Sequence, residues 1–140
     1  APLNWMAGDF FKLKIASHNQ YGAGEFSPIF TSTLKVKTSP PVPTLLLTRN
    51  SLTTTSLIKL NIPDITLDSM TGFSPITNYY IQWKKTTDDD SVYQDLVTEA
   101  YYSATTDFNT ADVESGKSYH FRFKLENAFG VGEYGEPSMV

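Results

Sequence analysis

The chain has 140 residues, a formal net charge of −4 and no cysteine, with 40% hydrophobic and 14% aromatic residues. That apolar content is enough for a packed core and excludes a disordered chain. The missing cysteine excludes disulfides, thiolate catalysis and cysteine-based zinc sites. The acidic balance gives no nucleic-acid footprint, and no apolar run approaches the ~20 residues a membrane-spanning helix needs.

In chain order, Phe11, Leu13 and Ile15 alternate with Lys12, Lys14 and Ala16, the period of a strand with one buried face. Thr38-Ser39-Pro40-Pro41-Val42-Pro43 favours extended polyproline geometry, a short and semi-rigid joint. A weaker strand is expected at 44–49. Ile58, Leu60 and Ile62 alternate with Lys59 and Asn61 until Pro63 ends the run. The stretch from Asp68 to Pro75 is turn-rich and reads as a loop. Tyr79, Ile81 and Trp83 then alternate with Tyr80, Gln82 and Lys84. After a second loop from Lys85 to Ser91, weaker strands are expected at 92–97 and 102–109. Tyr119, Phe121, Phe123 and Leu125 alternate with His120, Arg122, Lys124 and Glu126. No segment carries a capped, sustained helical stripe, so the chain reads as all-β.

A repeat frames these pieces. Gly8–Ile15 lies over Gly116–Phe123, and Asn19–Phe26 over Asn127–Tyr134, both shifted by 108 residues. A period near a hundred residues means tandem copies of a whole domain, because solenoid units run to only about 20–50. Residues 44–140 are expected to form one domain whose last strand is cut, since Val140 lies over Ser32. Residues 1–38 are expected to be the end of a preceding copy, and 39–43 the proline-rich linker. An isolated hairpin is marginal in water. Trp5, Phe11, Leu13 and Ile15 should therefore stay exposed unless further strands cover them.

Four local patterns together resemble a fibronectin type III domain. They are the entry Pro40-Pro41-Val42-Pro43, the run Gly72–Trp83, the corner Val113-Glu114-Ser115-Gly116-Lys117-Ser118-Tyr119, and the turn Asn127-Ala128-Phe129-Gly130-Val131-Gly132-Glu133. The resemblance implies an immunoglobulin-like, seven-stranded antiparallel β-sandwich over 40–140, with residues 1–38 as the last two strands, F and G, of a partial copy. It also implies that Tyr119 is a corner tyrosine, its hydroxyl bonded to upstream backbone and its ring buried. Two places depart from the family. Leu60 stands where strand B usually has tryptophan, and Ser115 where the corner usually has proline. The core should then rest on Leu60, Tyr79, Ile81, Trp83, Tyr119, Phe121 and Phe123.

Candidate chemistry is thin. Gly130-Val131-Gly132-Glu133-Tyr134-Gly135 spells a dinucleotide fingerprint, but no helix follows to face a pyrophosphate. Asp88-Asp89-Asp90 suggests calcium, yet an EF-hand register would need an oxygen ligand at Val92 and glycine at Tyr93. His18 and His120 fall on outward positions in different copies and are expected to be exposed surface residues. No catalytic signature is present. Tyr80, Lys84, Arg122 and Lys124 should share one solvent face, which reads either as an ordinary polar sheet face or as a partner-docking surface with Tyr80 as its anchor and the cations as its rim.

The expectation is a non-catalytic spacer and protein-interaction module without cofactor, metal or small-molecule ligand. Its partners would be other proteins and neighbouring domains, with no nucleic acid and no direct membrane contact. The resemblance implies a large cell-surface or extracellular adhesion or receptor-like protein. The alternatives are an intracellular ruler in muscle or a ciliary axoneme, and an accessory domain of a secreted carbohydrate-active enzyme.

Overall fold

The structure, a computed structural model, describes residues 4–101, 103, 105–108 and 113–140. The chain opens with two small hairpins: β1 (Phe10–Leu13) pairs with β4 (Phe30–Lys35), and β2 (His18–Asn19) with β3 (Gly22–Ala23). The remaining elements are β5 (Thr48–Arg49), β6 (Ile58–Asn61), the one-turn helix α1 (Asp68–Thr71) and β7 (Ile76–Lys85). After them come β8 (Gln94–Tyr101), β9 (Thr105–Phe108), β10 (Tyr119–Asn127), β11 (Gly130–Val131) and β12 (Ser138–Met139). A 3-10 turn at Asp90–Val92 joins β7 to β8.

Two antiparallel sheets enclose the core. One has the order β5-β6-β9; the other runs β11-β10-β7-β8, with β12 also on β10. The strands β11 and β12 are two halves of one edge strand. Between them Gly132 and Gly135 donate their N–H groups to Leu125 O (2.9 Å) and Phe123 O (3.0 Å). Counted so, residues 44–140 make a seven-stranded sandwich.

Strict alternation puts the apolar row inside. Along β10, Tyr119, Phe121, Phe123 and Leu125 are buried, while the residues between them are half-buried. Tyr79, Ile81 and Trp83 of β7 face them, and Ile58, Leu60 and Ile62 close the core from the other sheet. Phe108 stacks on Trp83 at 4.6 Å and lies edge-on to Phe121 at 5.3 Å. Each such aromatic contributes about 1.5–3 kcal/mol by burial. Leu60 is fully buried, and the one buried tryptophan among the described residues is Trp83 on the other sheet.

The weaker strands differ from expectation. Only Thr48 and Arg49 of the 44–49 run pair with β6, while Leu47 is buried and Leu45 and Leu46 are exposed. The 3-10 turn takes Val92, so β8 starts at Gln94 and runs on to Tyr101. The expected 102–109 strand is seen at Thr105–Phe108, and Tyr102 lies outside the described residues. The 68–75 loop contains α1, which ends at Gly72 in the left-handed region (φ 67).

The repeat is visible in strand register. His18↔Ala23 and Asn19↔Gly22 in the N-terminal hairpin match Glu126↔Val131 and Asn127↔Gly130. Lys12↔Thr31 and Leu13↔Phe30 match His120↔Met139 and Phe121↔Ser138. Burial is not repeated: Leu13 is 52% exposed and Ile15 75%, against 0% for Phe121 and 1% for Phe123. Trp5 stacks on half-buried Phe11 at 4.8 Å yet stays 45% exposed.

Candidate docking face and the joint at Asn127

Antiparallel pairing of β7 with β10 sets Tyr80 opposite Lys124, Gln82 opposite Arg122, and Lys84 opposite His120. Two tyrosines from outside those strands slot between the cations. The Tyr93 ring lies 5.3 Å from Lys84 Nζ and 3.7 Å from Arg122 Cζ. The Tyr134 ring lies 4.7 Å from Arg122 Cζ and 4.6 Å from Lys124 Nζ, which is 5.2 Å from the Tyr80 ring. The six residues form a continuous stack, Lys84-Tyr93-Arg122-Tyr134-Lys124-Tyr80, each contact worth about 0.5–1 kcal/mol where exposed.

Hydrogen bonds tie the stack down. Arg122 Nε and Nη2 donate to Gln82 Oε1 (3.1 and 2.8 Å), and Gln82 Nε2 donates to Asp95 Oδ1 (2.8 Å). Tyr80 Oη and Asn78 Nδ2 donate to Glu126 Oε2 at 2.7 and 2.9 Å, holding that carboxyl below the usual glutamate range, with Asn78 the larger cause. Burial pushes the Tyr134 phenol up, and Asp95 adds to the shift.

Lys84 departs from the expected solvent rim: it is only 4% exposed, and its Nζ donates to Asp88 O at 3.0 Å. The 3-10 turn folds Tyr93 back across it, covering an ammonium that alternation alone would leave in water. His120 departs too. It is half-buried between Lys84 and Met139, the residues paired with it on either side, and its buried Nδ1 has no hydrogen-bond partner among the described residues. His18 is exposed on β2, in the N-terminal hairpin. The sequence signal for Tyr93 and Tyr134 was too weak to find them, because neither sits in an alternating run. Arg122 and Lys124, two apart on one strand face, were the legible part.

The acidic loop is built for capping. Asp89 Oδ1 accepts the Ser91 N–H at 3.0 Å, which holds that carboxyl below its usual range, while Asp88 supplies the carbonyl for Lys84. Among the described residues no three His, Asp or Glu side chains gather into a metal-like cluster. The glycines of the fingerprint-like run sit on a sheet edge. A Cβ at Gly132 would strike Pro40 O, and one at Gly135 would lie 2.7 Å from Pro43 O.

A second constellation joins the N-terminal hairpin to the sandwich. Asn127 is 3% exposed, and its Nδ2 donates to both Thr38 O and Thr71 O at 2.7 Å. Its Oδ1 accepts the Phe129 N–H at 2.8 Å, so the whole amide is used. Thr38 N–H donates to Gly72 O at 3.0 Å. Lys35 Nζ meets Asp68 Oδ2 at 3.3 Å and stands 5.1 Å over the Phe73 ring. That ring rests on Gly8, where a Cβ would come within 2.5 Å of Cζ. Phe73 itself has φ 60, a backbone conformation costing a non-glycine residue about 1–2 kcal/mol. At the opposite pole, Glu114 N–H donates to Tyr119 Oη (2.7 Å), and the Tyr119 ring is fully buried.

No protein-family model matches the chain. Among solved structures, chicken CNTN1 FN1–FN3 domains superpose with a TM-score of 0.50 at 15% identity, covering 98% of this chain and 44% of that one. The titin kinase with its flanking domains gives a TM-score of 0.55 at 20% identity over 73% of this chain, and titin domains A168–A170 give 0.52 at 21% over 80%. The chain spans 17% and 36% of those two titin chains, and so less than half of each of the three neighbours. At these identities the likeness is one of fold: residues 44–140 form a sandwich of the fibronectin type III and immunoglobulin-like kind.

Proposed function

We propose, on the premise of that fold, that this protein is a non-catalytic spacer and protein-interaction module in which residues 1–38 are the closing strands of a preceding copy. The observation that carries it is the Asn127 tie: a buried amide on one side of the joint grips Thr38 O, while α1 grips Lys35. A linker held by side-chain, backbone and ionic contacts transmits orientation, which a flexible tether cannot do. Amide 15N relaxation tests it. The β1–β4 hairpin and the sandwich should report one rotational correlation time; a distinctly shorter time for the hairpin would overturn the ruler role.

The stack of cations and tyrosines favours a docking function for the β7–β10 face. Tyr80, Arg122 and Lys124 are the contact residues, and Lys84 anchors the face from inside. Rings and cations already fixed by neighbours lose little side-chain entropy on binding. The finer context is a large multidomain cell-surface or extracellular protein, with an intracellular scaffold as the alternative; its support is fold likeness to domains of chicken CNTN1 and of titin. Oxidative footprinting of Tyr80 and Tyr134, in the purified chain and in native extract, should show protection in the extract. Equal labelling would remove the docking surface.

A further inference from the structure

We propose that the β7–β10 face receives an extended acidic peptide whose carboxylates, at alternate positions, pair with Arg122 and Lys124; this rests on the docking reading of that face. The chain carries a net charge of −4, and Lys35, Lys59 and Lys85 each meet a carboxylate, on Asp68, Asp107 and Glu114. Arg122 and Lys124 do not. Both are half-buried, and among the described residues neither forms an ion pair. Arg122 directs Nε and Nη2 to the one oxygen of Gln82, which leaves Nη1 without a hydrogen bond among the described residues. The contacts of Lys124 Nζ there are the rings of Tyr80 and Tyr134.

The acids of this face are engaged elsewhere. Glu126, two residues after Lys124 on β10, accepts Asn78 Nδ2 and Tyr80 Oη, and Asp95 accepts Gln82 Nε2. Gln82 accepts from Arg122 and donates to Asp95, so its amide keeps a guanidinium and a carboxylate from closing on each other. The result is two cations fixed by rings and an amide, with Nη1 and Nζ left for an anion from outside. Such cations lose little entropy on pairing, and partial burial strengthens the attraction. Their spacing selects the partner. Residues two apart on a strand share one face and lie about 6.8 Å from each other. An extended peptide has the same period, so acids at alternate positions meet Arg122 and Lys124 in register. The stacked rings of Tyr93, Tyr134 and Tyr80 give the intervening methylenes apolar surface. A sulfated glycan calls for a broad basic field, whereas here Glu126 and Asp95 share the face with the cations. That arrangement suits a few carboxylates at matching points.

The probe is a blocked peptide in which glutamate and threonine alternate, titrated into the 15N-labelled 140-residue chain. Amide signals of Gln82, Arg122 and Lys124 should move with a Kd of about 1 mM at low salt, and weaken in about 0.5 M salt. The glutamine version, and an isomer with its glutamates adjacent, should each bind roughly fivefold more weakly or worse. These peptide comparisons need no variant of the protein. Lys124→Gln should weaken binding as the glutamine peptide does, and Lys124→Arg should keep it. Unmoved signals, equal binding of either control peptide, or shifts centred on Arg49 and Lys117 instead each overturn the proposal. Heparin fragments that move the Arg122 and Lys124 signals where the peptide does not would assign the face to a sulfated glycan and overturn it too. The docking reading itself fails by a different result, equal labelling of Tyr80 and Tyr134 in buffer and in extract. Protection in extract without a peptide shift overturns the acidic occupant alone.

Discussion

Asn127→Ala removes three hydrogen bonds without touching the apolar core. The bond to Thr71 O is fully buried, and those to Thr38 O and from Phe129 N–H are part-buried. At about 0.5–1.5 kcal/mol per bond, with extra cost for the orphaned Thr71 carbonyl, the expected loss is about 2–4 kcal/mol. The urea slope for a domain of this size is about 1–3 kcal/mol per molar, so the midpoint should fall by roughly 1–3 M with the slope unchanged. Trp83 is 4% exposed and Trp5 45%, so a Trp5→Phe background lets fluorescence report the sandwich alone. A loss below about 1 kcal/mol would refute the idea that this amide holds the joint.

Asn127→Asp sharpens the same reasoning, because it keeps the acceptor for Phe129 and removes both donors. At neutral pH its carboxylate would face two carbonyl oxygens, so its folded pKa must lie above its unfolded one. The destabilisation is then full above the folded pKa and shrinks as pH falls through it, when the protonated acid can donate one bond. An aspartate variant whose deficit is flat with pH would contradict the geometry.

Three further outcomes follow from the described contacts. Tyr119→Phe removes the hydroxyl that accepts from Glu114 while leaving a buried ring, and should lower unfolding free energy by about 1 kcal/mol; an unchanged urea midpoint refutes the corner role. Gly135→Ala forces a Cβ to 2.7 Å from Pro43 O, a backbone atom that cannot rotate away, and should cost about 1–3 kcal/mol by thermal melting. A cost within experimental error would mean the linker is not packed there. Glu126 has a lowered folded pKa, so its contribution is full above the unfolded value of about 4.3 and is lost as pH falls through the folded value. Glu126→Gln should therefore flatten the acid limb of the stability curve, and a variant with the same acid limb would show that Asn78 and Tyr80 do not hold the carboxylate.

Alternation made the two long strands legible. In β7 and β10 apolar residues recur every second position from Tyr79 to Trp83 and from Tyr119 to Leu125, and all of these are buried, with Lys84 and Asn127 the buried polar exceptions. Phe108 belongs to the same core but was hidden in a short, polar run, where one aromatic gives no period to read. The candidate docking face was half legible. Cross-strand neighbours follow from strand pairing, which sets Tyr80 by Lys124. The rings that slot between the cations arrive from a 3-10 turn and an irregular edge, where no period applies. Asn127 carried a usable signal, since Asn19 holds the same place in the repeat and also accepts the N–H two residues on. Its second function, gripping Thr38, needs a linker on top of it and so could not be read from the turn alone.

The glycines at 132 and 135 show how that linker is held. Pro40 and Pro43 are three residues apart, and so are the glycines their carbonyls approach. The carbonyls at 40 and 43 reach the edge strand at matching intervals, the spacing that the three-residue period of polyproline geometry would give. The two segments advance in the same direction, Pro40 on Gly132 and Pro43 on Gly135. The equivalents in the N-terminal hairpin are Gly24 and Ser27. Gly24 faces Ser17 of its own hairpin, and the serine is tolerated because Ser27 turns its hydroxyl onto local backbone. The third glycine is thus set by the linker's period, and the resemblance to a nucleotide-binding run is a by-product. Inserting one residue between Pro41 and Pro43 would rotate the second carbonyl off Gly135, loosening the joint while leaving the sandwich core intact.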